Sequence, residues 1–365
     1  MHWDLYCRVI DNHGDIGVAW RLAADLGARG EQVRLCVDDR SALAWMAPRG
    51  APGVDVVAWE DPGGGLPDVV VELFGAGLPT RLRESAANTR ALCINLEHLS
   101  AEPYVERCHR LPSPLFTRAG PLTTWFFYPG FTSATGGLSG PTPGREPTVD
   151  AAGDEQRSVG GVRRVPTTLR RLGIEPRVGE RVVSLFCYDN PAVSALIDAL
   201  RNSPTLLLLT PGAATRQAAA ALGPSLQRDR LRACALPHLA QAEFDGLLDG
   251  CDLNFVRGED SFVRAMRAGV PFVWQLYPQD DGAHAAKLEA FLALFLETAA
   301  PSLAARIGAL FRRWNGMSAT ADEALHWPEL PTWHEHCERW RRQLASHADL
   351  TSQLVDFARA RRLES

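Results

Sequence analysis

The eight cysteines (Cys7, Cys36, Cys93, Cys108, Cys187, Cys234, Cys251 and Cys337) form no C-x-x-C pair anywhere in the chain. Their scatter, several of them inside apolar strand-like runs, lacks the paired spacing of a C-x-x-C motif and is expected of reduced thiols in a cytoplasm. Lysine is almost missing too, with Lys287 alone against a background of arginine, a bias that carries no functional weight. No block of basic residues is present: 38 basic residues face 43 acidic ones for a net charge of −5. A phosphate backbone is therefore an unsuitable main ligand, and no nucleic acid is expected as partner. The longest apolar stretch, residues 290–296, is far short of the roughly 20 residues that span a bilayer, so no membrane partner is expected. Met1-His2-Trp3-Asp4 leads straight into a strand-like run without the basic and apolar regions of a signal peptide, again as expected of a cytoplasmic chain.

What is present is a chain of 365 residues, 46% apolar and 22% charged. That is the composition of a soluble globular protein, and at about 100–200 residues per domain the length predicts two domains. From Trp3 to Tyr128, β-rich runs at 5–10, 32–37, 54–58, 69–73, 91–96 and 124–128 alternate with helix-like segments such as 18–29 and 80–88. Strand-helix alternation predicts a parallel, doubly wound sheet. Between Thr132 and Arg164 the pattern dissolves into Gly, Ser, Pro, Thr and Asp, as in a flexible segment. A second alternating series follows, with strands at 181–187, 205–209, 231–235, 252–256 and 271–276 and helices at 191–201, 216–222, 241–248 and 261–268; beyond Leu276 the chain reads as helices only.

The expected architecture is α/β, with an N-terminal Rossmann-like domain over 1–165 (flexible at about 132–164) and a second Rossmann-like domain over 166–345. The last helix, in 346–365, is expected to pack back on the first domain. Two such domains predict a ligand cleft facing the carboxyl ends of both sheets, so the informative residues should lie just after strands. The chain is expected to be a monomer.

Two turns stand out. Asp11-Asn12-His13-Gly14-Asp15-Ile16-Gly17 follows the first strand and opens a helix. It lacks the G-x-G-x-x-G fingerprint, and its acidic residues would repel a pyrophosphate, which disfavours a nicotinamide cofactor. Asp11 or Asp15 could simply cap the helix, with Gly14 and Gly17 relieving the turn; alternatively the two carboxylates serve acid-base work. In Asn254-Phe255-Val256-Arg257-Gly258-Glu259-Asp260-Ser261 a strand again runs into a helix. Gly258 allows close backbone approach, Ser261 can cap and Arg257 supplies fixed positive charge, a combination suited to a diphosphate at a helix N-terminus, with Glu259 accepting from sugar hydroxyls. The structural alternative is an Arg257–Glu259 ion pair. Ser184-Leu185-Phe186-Cys187-Tyr188 and Tyr277-Pro278-Gln279-Asp280-Asp281 also follow strands and could hold a base and a sugar. His334-Glu335-His336-Cys337 looks metal-like, but an i, i+2 histidine pair points to different helix faces, and no metal is expected there.

The segments DNHGDIGVAWRLA, FFYPGFT with TGGL, SLFCY, DLNFVRGEDSFVRA and PFVWQLYPQ resemble, in family order from about residue 3 to 296, the bacterial elongation factor P arginine rhamnosyltransferase family. The resemblance implies a GT-B glycosyltransferase, inverting and metal-independent, without a cofactor, that moves L-rhamnose from dTDP-β-L-rhamnose to one arginine of elongation factor P. By position, it implies Asp15 as general base, Asp11 as its neighbour orienting the acceptor, and Glu259 as the donor-side carboxylate. Arg257, Asp260 and Ser261 would hold the diphosphate and nearby sugar, and Phe186, Tyr188, Gln241, Gln279 and Asp280 would line the thymidine and sugar pocket. Where the family pattern has phenylalanine in P-F-L, this chain has Pro237-His238-Leu239, whose imidazole stacks on a base more weakly and with a pH-dependent charge. A transferase of the same fold using another nucleotide sugar or a small-molecule acceptor is the alternative.

Overall fold

The computed structural model describes residues 1–10, 13–60, 63, 65, 67–89, 91–142, 158–159, 162–163, 167–278, 282–317 and 324–364. The chain divides into two compact units, one of Met1–Gly144 with Gln343–Ser365 and one of Arg145–Arg342.

The first unit is built on seven strands: β1 (His2–Cys7), β2 (Gln32–Val37), β3 (Val54–Ala58), β4 (Val69–Leu73), β5 (Leu92–Leu96), β6 (Pro112–Thr117) and β7 (Gly120–Phe127). Their order is β3-β2-β1-β4-β5-β7-β6, all parallel except β6, which runs antiparallel to β7. Both faces are covered, as a parallel sheet requires. Trp3, Leu5 and Cys7 of β1 pack with Ile16, Trp20, Leu35, Val71 and Ile94, while Tyr6, between them, packs with Cys36, Trp59, Val70 and Cys93 on the opposite face. The helix Leu350–Glu364 adds Leu350, Leu354, Val355, Phe357 and Ala358 to the first of these clusters.

Three details differ from the sequence expectation. β1 ends at Cys7 rather than at residue 10, because Val9 and Ile10 donate their backbone N–H groups to the Asp38 and Asp15 carboxylates at 3.0 and 2.9 Å instead of to a neighbouring strand. β6 was not expected, since Pro112 and Pro114 interrupt a β pattern; an edge strand tolerates them. Residues 132–142, expected to be flexible, are packed instead: Thr135 and Leu138 are buried, and a methyl group on Gly137, whose φ is +71°, would overlap the Ala348 carbonyl. Their glycines permit close approach rather than freedom. Residues 143–157 of that segment lie outside the described residues.

In the second unit a short hairpin, β8 (Ser158–Val159) and β9 (Val162–Arg163), precedes the main sheet of β10 (Arg181–Leu185), β11 (Thr205–Leu209), β12 (Gln227–Arg228), β13 (Leu231–Ala235), β14 (Leu253–Arg257) and β15 (Phe272–Gln275). The order is β12-β13-β11-β10-β14-β15, parallel throughout except for β12. Inside the sheet Ser184 Oγ of β10 donates to Oδ1 of Asn254 on β14 at 2.6 Å, and Asn254 Nδ2 donates onward to the Leu248 carbonyl at 3.0 Å, so these buried polar side chains are satisfied and align the two central strands. The helices Ala283–Phe295, Pro301–Trp314 and Leu330–Ala345 close one side through Phe291, Phe295 and Phe311, which meet Phe262 and Phe272 edge-on or tilted, and through Trp340, which meets Phe295 edge-on.

Both sheets share a parallel pattern in which two strands lead away from the first on one side and the chain then crosses to its other side, where three parallel strands follow in the first sheet (β4, β5, β7) and two in the second (β14, β15). The chain reverses direction between β1 and β4 and again between β10 and β14. In open α/β sheets ligands bind outside the carboxyl ends of the strands at such switch points.

Candidate active site

At the switch point of the first sheet the chain leaves β1 through residues 8–13 and enters the helix Gly14–Ala28. Asp11 lies outside the described residues. Asp15 sits in the first helical turn, 7% exposed, with Oδ2 accepting the Ile10 N–H at 2.9 Å. That bond reaches back five residues from the first helical turn to the end of the segment that leaves β1. Gly14 begins the helix, and Gly17 donates to the His13 carbonyl at 3.0 Å, closing its first turn. His13 packs edge-on against Trp45, with ring centroids 5.1 Å apart. Burial pushes the Cys7 thiol far up and the carboxylates of Asp15 and Asp38 add to the effect, so this neighbour of Asp15 stays a neutral thiol.

The second sheet brings two turns together at its switch point. β14 is buried until Arg257, its last residue, which is half-exposed. The Arg257 guanidinium lies over the rings of Phe186 and Tyr188 at 4.6 and 4.2 Å. The Arg257–Glu259 ion pair weighed from the sequence is not among the contacts of the described residues; the aromatic pair holds the guanidinium instead. A guanidinium is planar and charged by itself, and aromatic faces can hold it while its edge N–H groups stay available to a phosphate. Gly258 takes φ +62°, conformational freedom that glycine supplies, and its carbonyl accepts Trp274 Nε1–H at 2.7 Å.

Glu259 occupies the N-cap position of the helix Asp260–Ala268. Ser261 is 4% exposed, and its hydroxyl accepts the Arg257 N–H at 3.1 Å and donates to the Arg257 carbonyl, so it ties the turn to itself. Asp260 faces the buried Arg264 one helical turn on, at 3.8 Å. What the turn presents to an anion is the Arg257 guanidinium beside the N-terminus of the helix Asp260–Ala268, the positive end of its dipole.

Tyr188 is buried and meets the exposed Tyr277 edge-on at 5.2 Å. Phe186 meets Phe244 edge-on at 5.7 Å, and Phe244 lies on the helix Gln241–Gly250 that the buried Gln241 begins. His238 is exposed in the loop between β13 and that helix. Gln279 and Asp280 lie outside the described residues. His336 is buried with Nε2 2.9 Å from the Phe295 carbonyl, burial pulling its imidazole pKa down, and Cys337 beside it is buried as well. Among the described residues no three His, Cys, Asp or Glu side chains gather as a metal site, and no helix is long and apolar enough to cross a membrane.

Sequence reasoning missed the polar side chains that brace these turns: Gln275, Gln217, Asn190 and Arg264. The signal available was an amide, Gln275, inside the apolar strand run before Leu276; a polar group at such a buried position needs specific partners.

The family model described as elongation factor P (EF-P) rhamnosyltransferase EarP matches residues 3–359. The protein-arginine rhamnosyltransferase of Pseudomonas aeruginosa is 40% identical over 97% of this chain and 98% of its own length, and that of Shewanella oneidensis is 32% identical over 98% of each. A solved structure that gives the basis for EarP-mediated arginine glycosylation of translation elongation factor EF-P is 30% identical, with a TM-score of 0.64 over 98% of this chain and 99% of that one. The glycosyltransferase VinC, solved with dTDP, has a TM-score of 0.53 at 15% identity over 98% of this chain and 99% of that one, a likeness of fold alone, and that fold is GT-B. The chain belongs to the EF-P rhamnosyltransferase EarP family.

Proposed function

We propose that the chain transfers L-rhamnose from dTDP-β-L-rhamnose to one arginine side chain of EF-P, with inversion at the anomeric carbon and without a metal. The observation that carries the donor side is the Arg257 guanidinium held over Phe186 and Tyr188 beside the N-terminus of the helix Asp260–Ala268, at the switch point of the second sheet. Family membership supports the acceptor and the sugar.

The chemistry follows from the residues. A free guanidinium, with a pKa above about 12, is protonated at neutral pH and is a poor nucleophile. The Asp15 carboxylate, held in place by the Ile10 N–H, orients the acceptor guanidinium and takes a proton as a nitrogen lone pair attacks the anomeric carbon. The new C–N bond forms as the bond from the anomeric carbon to the diphosphate oxygen breaks, and its electron pair leaves with dTDP. Arg257, beside the positive end of the helix Asp260–Ala268, neutralises that developing charge, the work a metal does elsewhere. A single displacement from a β donor gives an α linkage.

Incubation with EF-P and, separately, dTDP-β-L-rhamnose, dTDP-glucose and UDP-glucose tests the donor, and NMR of the product tests the linkage. Only the rhamnose donor is expected to be consumed, giving an α-rhamnosyl arginine at a rate unchanged by EDTA. A β linkage would refute single displacement, and loss of turnover in EDTA would refute metal independence.

A further inference from the structure

The donor-side turns are braced by two carboxamides that take no part in the chemistry above. Gln275, the last residue of β15 and 4% exposed, meets both turns at once. Its backbone carbonyl accepts the Gly258 N–H at 3.1 Å, which holds the turn after β14. Its side-chain oxygen accepts the Tyr188 N–H at 2.9 Å and its Nε2 donates to the Asp189 carbonyl at 3.4 Å, which holds the turn after β10. Gln217 grips the latter turn as well: its side-chain oxygen accepts the Asn190 N–H at 2.8 Å and its Nε2 donates to the Tyr188 carbonyl at 3.3 Å. A buried amide whose donor and acceptor are both satisfied on one stretch of backbone fixes that stretch, and leaves backbone groups unpaired if it is removed.

The stretch so fixed carries the Tyr188 ring, over which Arg257 lies at 4.2 Å. Strand register sets Arg257 directly opposite Gln275. We infer that Gln275 is a positioning residue for the donor diphosphate: it locks residues 187–190 to the Arg257–Gly258 turn, so that the guanidinium is held over its rings in one orientation. A planar fork aimed in advance loses less entropy on meeting a diphosphate than one that must be ordered by it. The inference rests on the assignment of Arg257 to the diphosphate, and its test separates the two.

Titration calorimetry with dTDP, UDP and GDP on the wild type, Gln275→Leu, Arg257→Ala and the double variant closes a double-mutant cycle. Gln275→Leu keeps the bulk of the side chain and removes its hydrogen bonds. It is expected to weaken the nucleoside diphosphate that the wild type binds about tenfold, or about 1.4 kcal/mol. In the Arg257→Ala background the same change is expected to have an effect below about twofold. Full additivity, or wild-type affinity in Gln275→Leu with only a lower melting temperature, overturns the inference and leaves Gln275 a structural residue. Should Gln275→Leu not fold, Gln275→Glu, which retains an acceptor for the Tyr188 N–H, is expected to show a weakening of about threefold with the same dependence on Arg257, and additivity there overturns the inference equally. A wild type that binds UDP or GDP but not dTDP refutes the proposed donor while the cycle still decides the role of Gln275; one that binds none refutes both.

Discussion

Asp15→Asn is expected to lower kcat by about 10²–10⁴-fold, the range that removal of a general base produces, with dTDP affinity unchanged. The substitution is suited to the question because asparagine retains a side-chain oxygen where Oδ2 accepts the Ile10 N–H, so the helix Gly14–Ala28 keeps its bond to the segment that leaves β1. What is lost is a negative charge to hold the acceptor guanidinium and a basic site for its proton. Steady-state kinetics with EF-P as the varied substrate, alongside thermal unfolding of the variant, checks this. Retention of more than about a tenth of wild-type kcat would show that Asp15 only shapes the turn, as a helix-terminal aspartate commonly does.

Arg257→Ala is expected to reduce kcat/KM for the nucleotide sugar by about 10²–10³-fold, the scale seen when a preorganised donor to developing charge is deleted. Arg257→Lys is expected to recover little of this. A lysine ammonium is a compact point charge that cannot present two parallel N–H donors in a fixed plane, whereas the Arg257 guanidinium lies over Phe186 and Tyr188 at 4.6 and 4.2 Å. The KM for EF-P should stay close to that of the wild type in both variants. Full activity in Arg257→Lys would mean that charge alone is needed and that the aromatic faces serve another purpose.

The parts of the fold that local pattern determines were legible. Six parallel strands of the first sheet and five of the second showed as β-rich runs, most clearly in β1, β4, β5, β10, β11, β14 and β15, where both faces are buried and the signal is continuous rather than alternating. Illegible parts depended on partners distant in sequence or on exceptions to a rule. β6 carries Pro112 and Pro114, which argue against a strand until its edge position is known. The end of β1 is set by side chains of Asp15 and Asp38 that take over backbone N–H groups a strand would otherwise pair. The glycines at 136 and 137 read as flexibility, whereas the fold uses them for close packing.

The candidate site shows the same division. Arg257-Gly258 at a strand end beside a helix, and the aspartate turn after the first strand, are visible as local patterns. Ser261 reads as a cap or a phosphate ligand, yet its hydroxyl is bonded to the backbone of Arg257. Gln275 is bonded to the Tyr188 N–H, 87 residues away in sequence, and such a contact becomes visible only once β10, β14 and β15 lie side by side.

The central claim is that this chain places a deoxyhexose on an arginine of EF-P. Intact-protein mass spectrometry of EF-P after incubation with the enzyme and dTDP-β-L-rhamnose, followed by fragmentation to locate the modification, tests it most directly. The account predicts a mass increase of one deoxyhexose on a single arginine, formed at a strongly reduced rate with Asp15→Asn and with Arg257→Ala. Unmodified EF-P in the presence of a wild-type enzyme that binds dTDP would contradict it.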